Sequence, residues 1–543
     1  MTSRRKVPFS NKQKKEQLQA KKAKDRIGTM VSKGMCMSEL PTSSKKTADR
    51  YALKFRKESN EEVEKRKEFA REQLQPIYES NLEMSEEELF PEGMKIPIRP
   101  PWDYSMGAQE LEKRENRYFL EYVNDLEKKF GDDSLSHYEE NLETWRQLWR
   151  VMEMSDILLV IVDIRFPNLL FPPMIYDYII KEKKEILLIL NKIDLAPPSV
   201  VLAWMHHFKE KYPQLHIILF TSFPGYNLYG QSENKAGLQR RRRKGKLRMS
   251  AEGAQQLYEA CQKIVGEHVD LTTWKNKIAE EADKEFDDVE IEETISKTVD
   301  AAYYDHERYK NGILTIGCVG QPNVGKSSII NALMGNKVVS VSKTPGHTKH
   351  FQTIFLTSNV RLCDCPGLVF PSKVPKTAQV LMGSFPIAQL REPYTSIKFL
   401  AERVNLIKLL NIKHPSDELE WSAMDICEAW AVRNGFFTAK AARPDLYRAA
   451  NAILRMVLDG TIPFSFVPPN YCKKKELWET SPELDRIQSI LAPKSDAEET
   501  HRGQSAYRSE SEESSDHSKA EDDSNDEETV VQNKFAALLG DSD

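Results

Sequence analysis

Cysteine is sparse, seven in 543 residues, and no two stand at the CxxC spacing that zinc ribbons and thiol redox centres use. The nearest pair, Cys363 and Cys365, flanks Asp364. With no disulfide framework, the thiols read as reduced and the protein as intracellular. Apolar runs are short too. None approaches the about 20 residues that a bilayer-crossing helix needs, and the opening MTSRRKVPFSNKQKKEQ lacks the apolar core of a secretory leader. A soluble chain with no membrane partner is expected, and the missing lipidation box at either end argues against a membrane-tethered signalling role. No aromatic-rich platform for unstacked bases is recognisable, so base-specific RNA readout is not expected.

Charge is present in quantity but unevenly placed. The formal net charge of -4 hides a basic start and an acidic end. Residues 1–26 carry Arg4, Arg5, Lys6, Lys12, Lys14, Lys15, Lys21, Lys22, Lys24 and Arg26 against Glu16 and Asp25, with poor apolar spacing. The length suits about two or three folded units plus tails. The expected division is a disordered basic arm over 1–50, a helical or extended region over 51–134, and an α/β nucleotide-binding domain over 135–371. A smaller helical domain over 372–475 and a disordered acidic tail over 476–543 follow. Within the α/β domain, GLQRRRRKGKLRMS falls in a basic insert at 229–250, and 279–310 reads as an acidic linker. The stretch 51–75 reads as a charged helix laced with opposite-charge pairs and having little to bury.

The segments DILLVIVDIRFP (156–167), EILLILNKIDLAPP (185–198) and LHIILFTSFPG (215–225) have the unbroken Leu, Ile and Val runs of strands buried on both faces. The spacers between them suit crossover helices, which gives a parallel sheet. Ahead of them, Tyr138, Leu142, Trp145, Trp149 and Met152 recur at helical spacing and should pack on that sheet. ILTIGCVGQPNVGKSSIINALMG (313–335) adds a strand, a glycine loop and a helix, and NVRLCDCPGL (359–368) adds a strand ending in Asp364. Beyond 371 the pattern is helical, most clearly where Leu446, Ala450, Ile453, Leu454, Val457 and Leu458 mark one face.

GQPNVGKS, at 320–327, matches the phosphate-loop pattern in its required strand-to-helix setting. Gly320, Gln321, Pro322, Asn323, Val324 and Gly325 would curl around phosphates, joined by Lys326, Ser327 and Ser328 at the helix start, where N–H groups point at the ligand. Lys326 is expected on the β and γ phosphates and Ser327 on magnesium. The loop cannot choose the base; NKID does. At the end of a buried strand, Asn191 can bond the guanine edge, Lys192 can lay its stem along base and ribose, and Asp194 can accept from the ring N–H and exocyclic amine, donors adenine does not present together. DCPG supplies Asp364, Cys365, Pro366 and Gly367, with Asp364 holding magnesium and the Gly367 N–H touching the γ-phosphate. Thr348 in KTPGHTKHFQT is the candidate switch threonine and third magnesium ligand, with Thr344 and Thr353 as competitors. Lys326, Thr348, Gly367 and Asn323 form the expected catalytic group.

In an unpermuted GTPase the phosphate loop comes first and NKxD last; here the order is reversed. With DIRFP, NKID, GQPNVGKSS, PGHT and DCPG in this order, the chain resembles the YlqF/YawG (MMR/HSR) family of circularly permuted GTPases. The resemblance implies a circularly permuted P-loop GTPase domain followed by a smaller helical domain. It implies GTP and GDP as ligands, slow GTP hydrolysis, and work on ribosomal subunit assembly or export, with a preribosomal particle or rRNA as partner. By the family's fifth motif, Ser222 of Thr221-Ser222-Phe223 is implied to contact guanine. Leu368 stands where many GTPases carry the water-orienting glutamine, so intrinsic turnover should be slow. Related GTPases with a hydrophobic residue there and an asparagine in the phosphate loop use potassium. Asn323 sits at the matching position, and potassium should stimulate over sodium unless Asn323 only caps the loop.

The basic arm and the insert around 240–248 can neutralise rRNA phosphates; a nuclear address read by import machinery, or plain solvation, are the competing readings of the arm. Lys440, Arg443, Arg448 and Arg455 are further candidates for RNA contact beside a solvated helix face. A nuclear or nucleolar location with shuttling to the cytoplasm follows from the resemblance. Two function classes remain open: a magnesium-dependent GTPase switch, or a binding module that uses GTP as a structural ligand.

Overall fold

The computed structural model describes residues 53–491, apart from 57, 78–81, 104, 132–133, 223–250, 284–306, 343, 417–418 and 440–441. The basic arm, the basic insert, most of the acidic linker and the end of the acidic tail lie outside the described residues.

A six-stranded sheet forms the centre, in the order β3-β2-β1-β4-β6-β5. The strands are β1 (Ile157–Asp163), β2 (Glu185–Asn191), β3 (His216–Phe220), β4 (Leu314–Val319), β5 (Gln352–Thr357) and β6 (Val360–Asp364). Neighbours run parallel except β5, which pairs antiparallel with β6 at the edge. Every residue of β1 and β4 is buried, as their continuous apolar runs require for strands covered on both faces. β1 pairs with β4 although some 150 positions separate them in the chain, and this pairing closes the permuted sheet. Register then sets the site. Asp163 stands opposite Asn191, and Cys318 opposite Asp364, so both motif-bearing strands end on the rim where β4 opens into the glycine loop.

The Leu142–Met154 helix, capped by the Asn141 side chain, buries Trp145, Leu148, Trp149 and Met152. Tyr138 is buried too, but ahead of the helix rather than on it. The charged stretch near 51–75 contracts to the Asn60–Arg71 helix, which starts at a Ser59–Glu62 capping box. It has more to bury than its charge suggested: Val63 and Ala70 face inward, and the helix packs on Tyr394–Ala401. The amphipathic Leu446–Leu458 helix opens at Asp445, whose side chain accepts from the Arg448 N–H, and buries Ala450, Ile453, Leu454 and Val457.

Two expectations about boundaries change. The described chain up to Leu491 belongs to one compact unit, and 371/372 is not a break between separate cores. The Ser136 N–H donates to Ser372 O at 2.9 Å, and Gln379 both accepts from the His137 N–H and donates to His137 O. The tail expected from 476 first forms the Lys475–Glu479 and Leu484–Leu491 helices, which pack on the Pro198–Lys211 helix. Leu484, Ile487 and Leu491 are buried there, an apolar face that outweighs the surrounding charge.

Candidate guanine-nucleotide site

The glycine loop leaves β4 and turns into the Lys326–Met334 helix at Gly325, whose φ of +104° suits only glycine. Lys326 is buried, and its Nζ donates to the loop carbonyls of Gly320 and Gln321 at 2.9 and 2.8 Å. Burial lowers its pKa, against the pull of the Asp364 carboxylate. Ser327 Oγ donates to Asp364 Oδ2 at 2.8 Å. Asp364 is 1% exposed; burial raises its pKa, opposed by the Ser327 bond and Lys326. Its Oδ1 is buried with no hydrogen-bond partner. Such an oxygen is costly unless a cation or donor joins it, so Asp364 and Ser327 suit a magnesium ion. Burial pushes the neighbouring Cys365 thiol up to about 12, which keeps it a neutral packing group.

On the far side, Asn191 ends β2. Its Nδ2 donates to Val324 O at 2.7 Å, and its Oδ1 is buried without a partner. Asp194 accepts from Thr221 Oγ1 at 2.8 Å. Ser222 Oγ, next in the chain, is also buried and unpartnered. Lys192 has left-handed backbone, and its Nζ donates to Asp163 Oδ2 at 2.8 Å and to Asn323 O at 2.6 Å. Asn323 itself donates from Nδ2 to Gly383 O at 2.9 Å, so the phosphate loop is held by the helical segment downstream of the sheet.

One cleft gathers most of the residues singled out by sequence: Asn191, Lys192, Asp194 and Ser222 on one wall, Pro322, Asn323, Gly325, Lys326, Ser327 and Ser328 on the next, and Gly367 beyond. Thr348 and Thr344 line it, whereas Thr353 lies buried in β5 opposite Cys363, away from it. Gly320, Gln321, Val324, Asp364, Cys365 and Pro366 stand behind the lining. Gln321 serves the scaffold: its Oε1 accepts from Ser384 Oγ at 2.7 Å. Gly367 passes so close to the loop that a Cβ there would meet Pro322 Cα at 2.7 Å. Leu368 is buried.

Sequence reasoning missed a third wall, formed by Met382, Leu458 and Asp459, and gave no role to Arg165, which also lines the cleft. Arg165 lies in DIRFP, a segment legible as a strand end but without a spacing rule that announces a ligand wall. Met382 and Asp459 carry no local signal and Leu458 only that of an apolar helix face; tertiary packing alone brings the three there.

The family model described as "50S ribosome-binding GTPase" matches residues 315–410. A mouse protein named "Guanine nucleotide-binding protein-like 1" is 48% identical over 476 residues, covering 83% of this chain and 78% of that one. An Arabidopsis thaliana protein named "GTPase LSG1-2" is 30% identical over 422 residues, covering 75% and 67%. A solved structure titled "Crystal structure of GNP-bound YlqF from T. maritima" aligns with a TM-score of 0.35 at 18% identity, over 60% of this chain and 98% of that one. The family assignment rests on the sequence relatives and the motif order: this chain belongs to the circularly permuted GTPases, in the guanine nucleotide-binding protein-like 1 family.

Proposed function

We propose that the chain binds GTP in this cleft and hydrolyses it slowly to GDP and phosphate, as a switch in ribosomal subunit assembly or export. The observation that carries the site is the buried Asn191 side chain and the unpartnered Ser222 hydroxyl in the same cleft as Lys326. The second Asn191 amide hydrogen and the Ser222 hydroxyl would donate to the guanine N7 and O6, with Asp194 accepting from the ring N–H and amine. Lys326 would leave its loop carbonyls for the β and γ phosphates, while loop N–H groups hold the phosphate chain. Ser327, Asp364 and Thr348 would hold a magnesium ion, which would supply charge neutralisation for the phosphates. Water would attack the γ-phosphorus as the bond to the β–γ bridging oxygen breaks, GDP taking the electron pair and the water's proton passing to the released phosphate. Leu368 offers that water no hydrogen bond, which is the reason for slow turnover. An alkali cation would be held through the Asn323 side-chain oxygen, since the amide nitrogen is engaged by Gly383.

The partner in this reading is a preribosomal particle, met through rRNA phosphates, and the location nuclear or nucleolar with shuttling. The second reading, a binding module that holds GTP without turnover, is favoured by Leu368 alone. GTP hydrolysis measured in potassium and in sodium, with and without ribosomal subunits, separates the two. The switch reading expects a rate raised by potassium or particles and reduced about 100-fold in Lys326→Ala. Background hydrolysis in every condition with GTP still bound leaves only the binding module. Equal rates in the two salts remove the cation role of Asn323.

A further inference from the structure

Asp163 closes β1 directly beside Asn191 and is 1% exposed. Both of its carboxylate oxygens are engaged. Oδ1 accepts from the Arg165 backbone N–H at 3.1 Å and from Arg165 Nε at 3.0 Å. Oδ2 accepts from Arg165 Nη2 and from Lys192 Nζ, each at 2.8 Å. Burial alone would raise this carboxyl, but Arg165 and Lys192 outweigh it and hold it well below the usual carboxylate range. The same lysine ammonium reaches Asn323 O in the phosphate loop. Arg165 Nη1, in turn, donates to Val457 O at 2.7 Å in the last turn of the Leu446–Leu458 helix, and Arg165 O accepts from the Phe466 N–H.

A buried ion pair added only for stability gains little over apolar packing. This one has a different geometry. Its second cation, Lys192, is a quarter exposed and lines the cleft. The carboxylate therefore fixes the far end of a side chain that lines the cleft.

We propose that Asp163 is a positioning residue for guanine-nucleotide binding: it anchors the Lys192 ammonium so that the lysine stem forms a fixed floor of the base site, and through Arg165 it ties that floor to the Leu446–Leu458 helix. This rests on the reading of NKID as the guanine site. The floor is preorganised by one carboxylate shared between two cations, so the Asp163 and Lys192 contributions to affinity are one contribution, not two.

The test uses the full chain and compares Asp163→Asn, Lys192→Met, which keeps the stem and removes the ammonium, and the double variant. Affinities for GDP and a non-hydrolysable GTP analogue are measured with steady-state hydrolysis. Each single variant is expected to weaken both nucleotides about tenfold and equally, the size of one charge-assisted hydrogen bond. The double variant should be no weaker than either single one. Losses that multiply in the double variant, or unchanged affinity in Lys192→Met, overturn the proposal. If Asp163→Asn does not fold, Asp163→Glu replaces it in the same cycle with Lys192→Met: losses that do not add support the anchor, and losses that multiply overturn it. Asp194→Asn tests the underlying reading separately. A switch of preference from GDP to xanthosine diphosphate upholds the guanine site, so that multiplying losses then count against Asp163 only; no switch removes both.

Discussion

A single methyl group at Gly325 should disable base recognition from inside the phosphate loop. Gly325 has φ +104° and ψ 22°, a conformation that an L side chain reaches at a cost of about 1–3 kcal/mol. Its Cβ would lie 2.3 Å from Asn191 Nδ2, far inside contact distance. The Asn191 amide would have to leave, breaking its 2.7 Å bond to Val324 O in a fully buried setting, worth about 1–3 kcal/mol more. Gly325→Ala should therefore lose about 2–6 kcal/mol of stability and most of its GDP affinity. Gly266→Ala is the control: φ is +59°, with nothing within 4 Å of the new Cβ, so strain alone should cost about 1–2 kcal/mol. Urea unfolding of both variants and calorimetric GDP titration measure the difference. In an Asn191→Ala background the clashing atom is gone, and the cost of Gly325→Ala should shrink to its strain. The reasoning fails if Gly325→Ala matches Gly266→Ala in stability and binds GDP like the parent, or if the Asn191→Ala background leaves its cost unchanged.

Other perturbations read different parts of the molecule. Glu139 is fully buried, and burial raises its pKa to about 8, offset in part by the Lys54 and Asn141 backbone N–H groups it accepts from. The folded state thus holds a proton that the unfolded state releases near its ordinary pKa, so this group's stabilising contribution is full below about pH 4.3 and declines up to about pH 8, with a slope of at most about 1.4 kcal/mol per pH unit. Glu139→Gln should gain stability relative to the parent between pH 6 and 9 in urea unfolding, and a constant difference over that range would refute the assignment. Asp364, also raised by burial, must lose its proton to take magnesium, so magnesium affinity of the nucleotide complex should fall as pH is lowered. Asp364→Asn should bind magnesium weakly with no such pH dependence, as isothermal titration at several pH values would show. Hydrogen exchange over 372–475 should differ between GDP and GTP analogue, first near Gly383 and Val457, where Asn323 and Arg165 attach. Protection independent of nucleotide would remove the proposed coupling between cleft and helical segment.

What could be read in advance was what is local. The strands follow from runs such as Ile186–Leu190 that only a two-faced burial explains, and Gly325 with Lys326 needs no partner to mark a phosphate loop. NKID could be placed because the strand carrying it ends at Asn191. By contrast, the bond from Arg165 to Val457 joins residues 292 positions apart, and nothing in either segment's periodicity selects the other. Asp163 was hidden by the same pattern that revealed β1, because a carboxylate ending a buried strand looks like the point where the strand stops. The Leu484–Leu491 helix falls inside the tail expected from 476, because Leu484, Ile487 and Leu491 are diluted there by charged neighbours.

The third wall of the cleft follows from the permutation itself. In the unpermuted order, the chain leaving DxxG must return to build the strand that bears NKxD. Here β2 is already in place when β6 ends at Asp364, so the chain is free of that obligation. It passes Gly367 against Pro322, and its next turns are stitched to the segment that enters the sheet: Val369 O accepts from the Glu139 N–H and Ser372 O from the Ser136 N–H. Fixed there, it crosses the mouth of the site at Met382 and Gly383, where it takes the Asn323 amide, and comes back at Leu458 and Asp459. A helical segment hung on the opposite edge could touch the protein elsewhere, but it could not hold both Asn323 and Arg165. The same topology that reverses the motif order thus brings the downstream helices to the cleft, and a substitution at Gly383 should be felt in the phosphate loop before it is felt in the sheet.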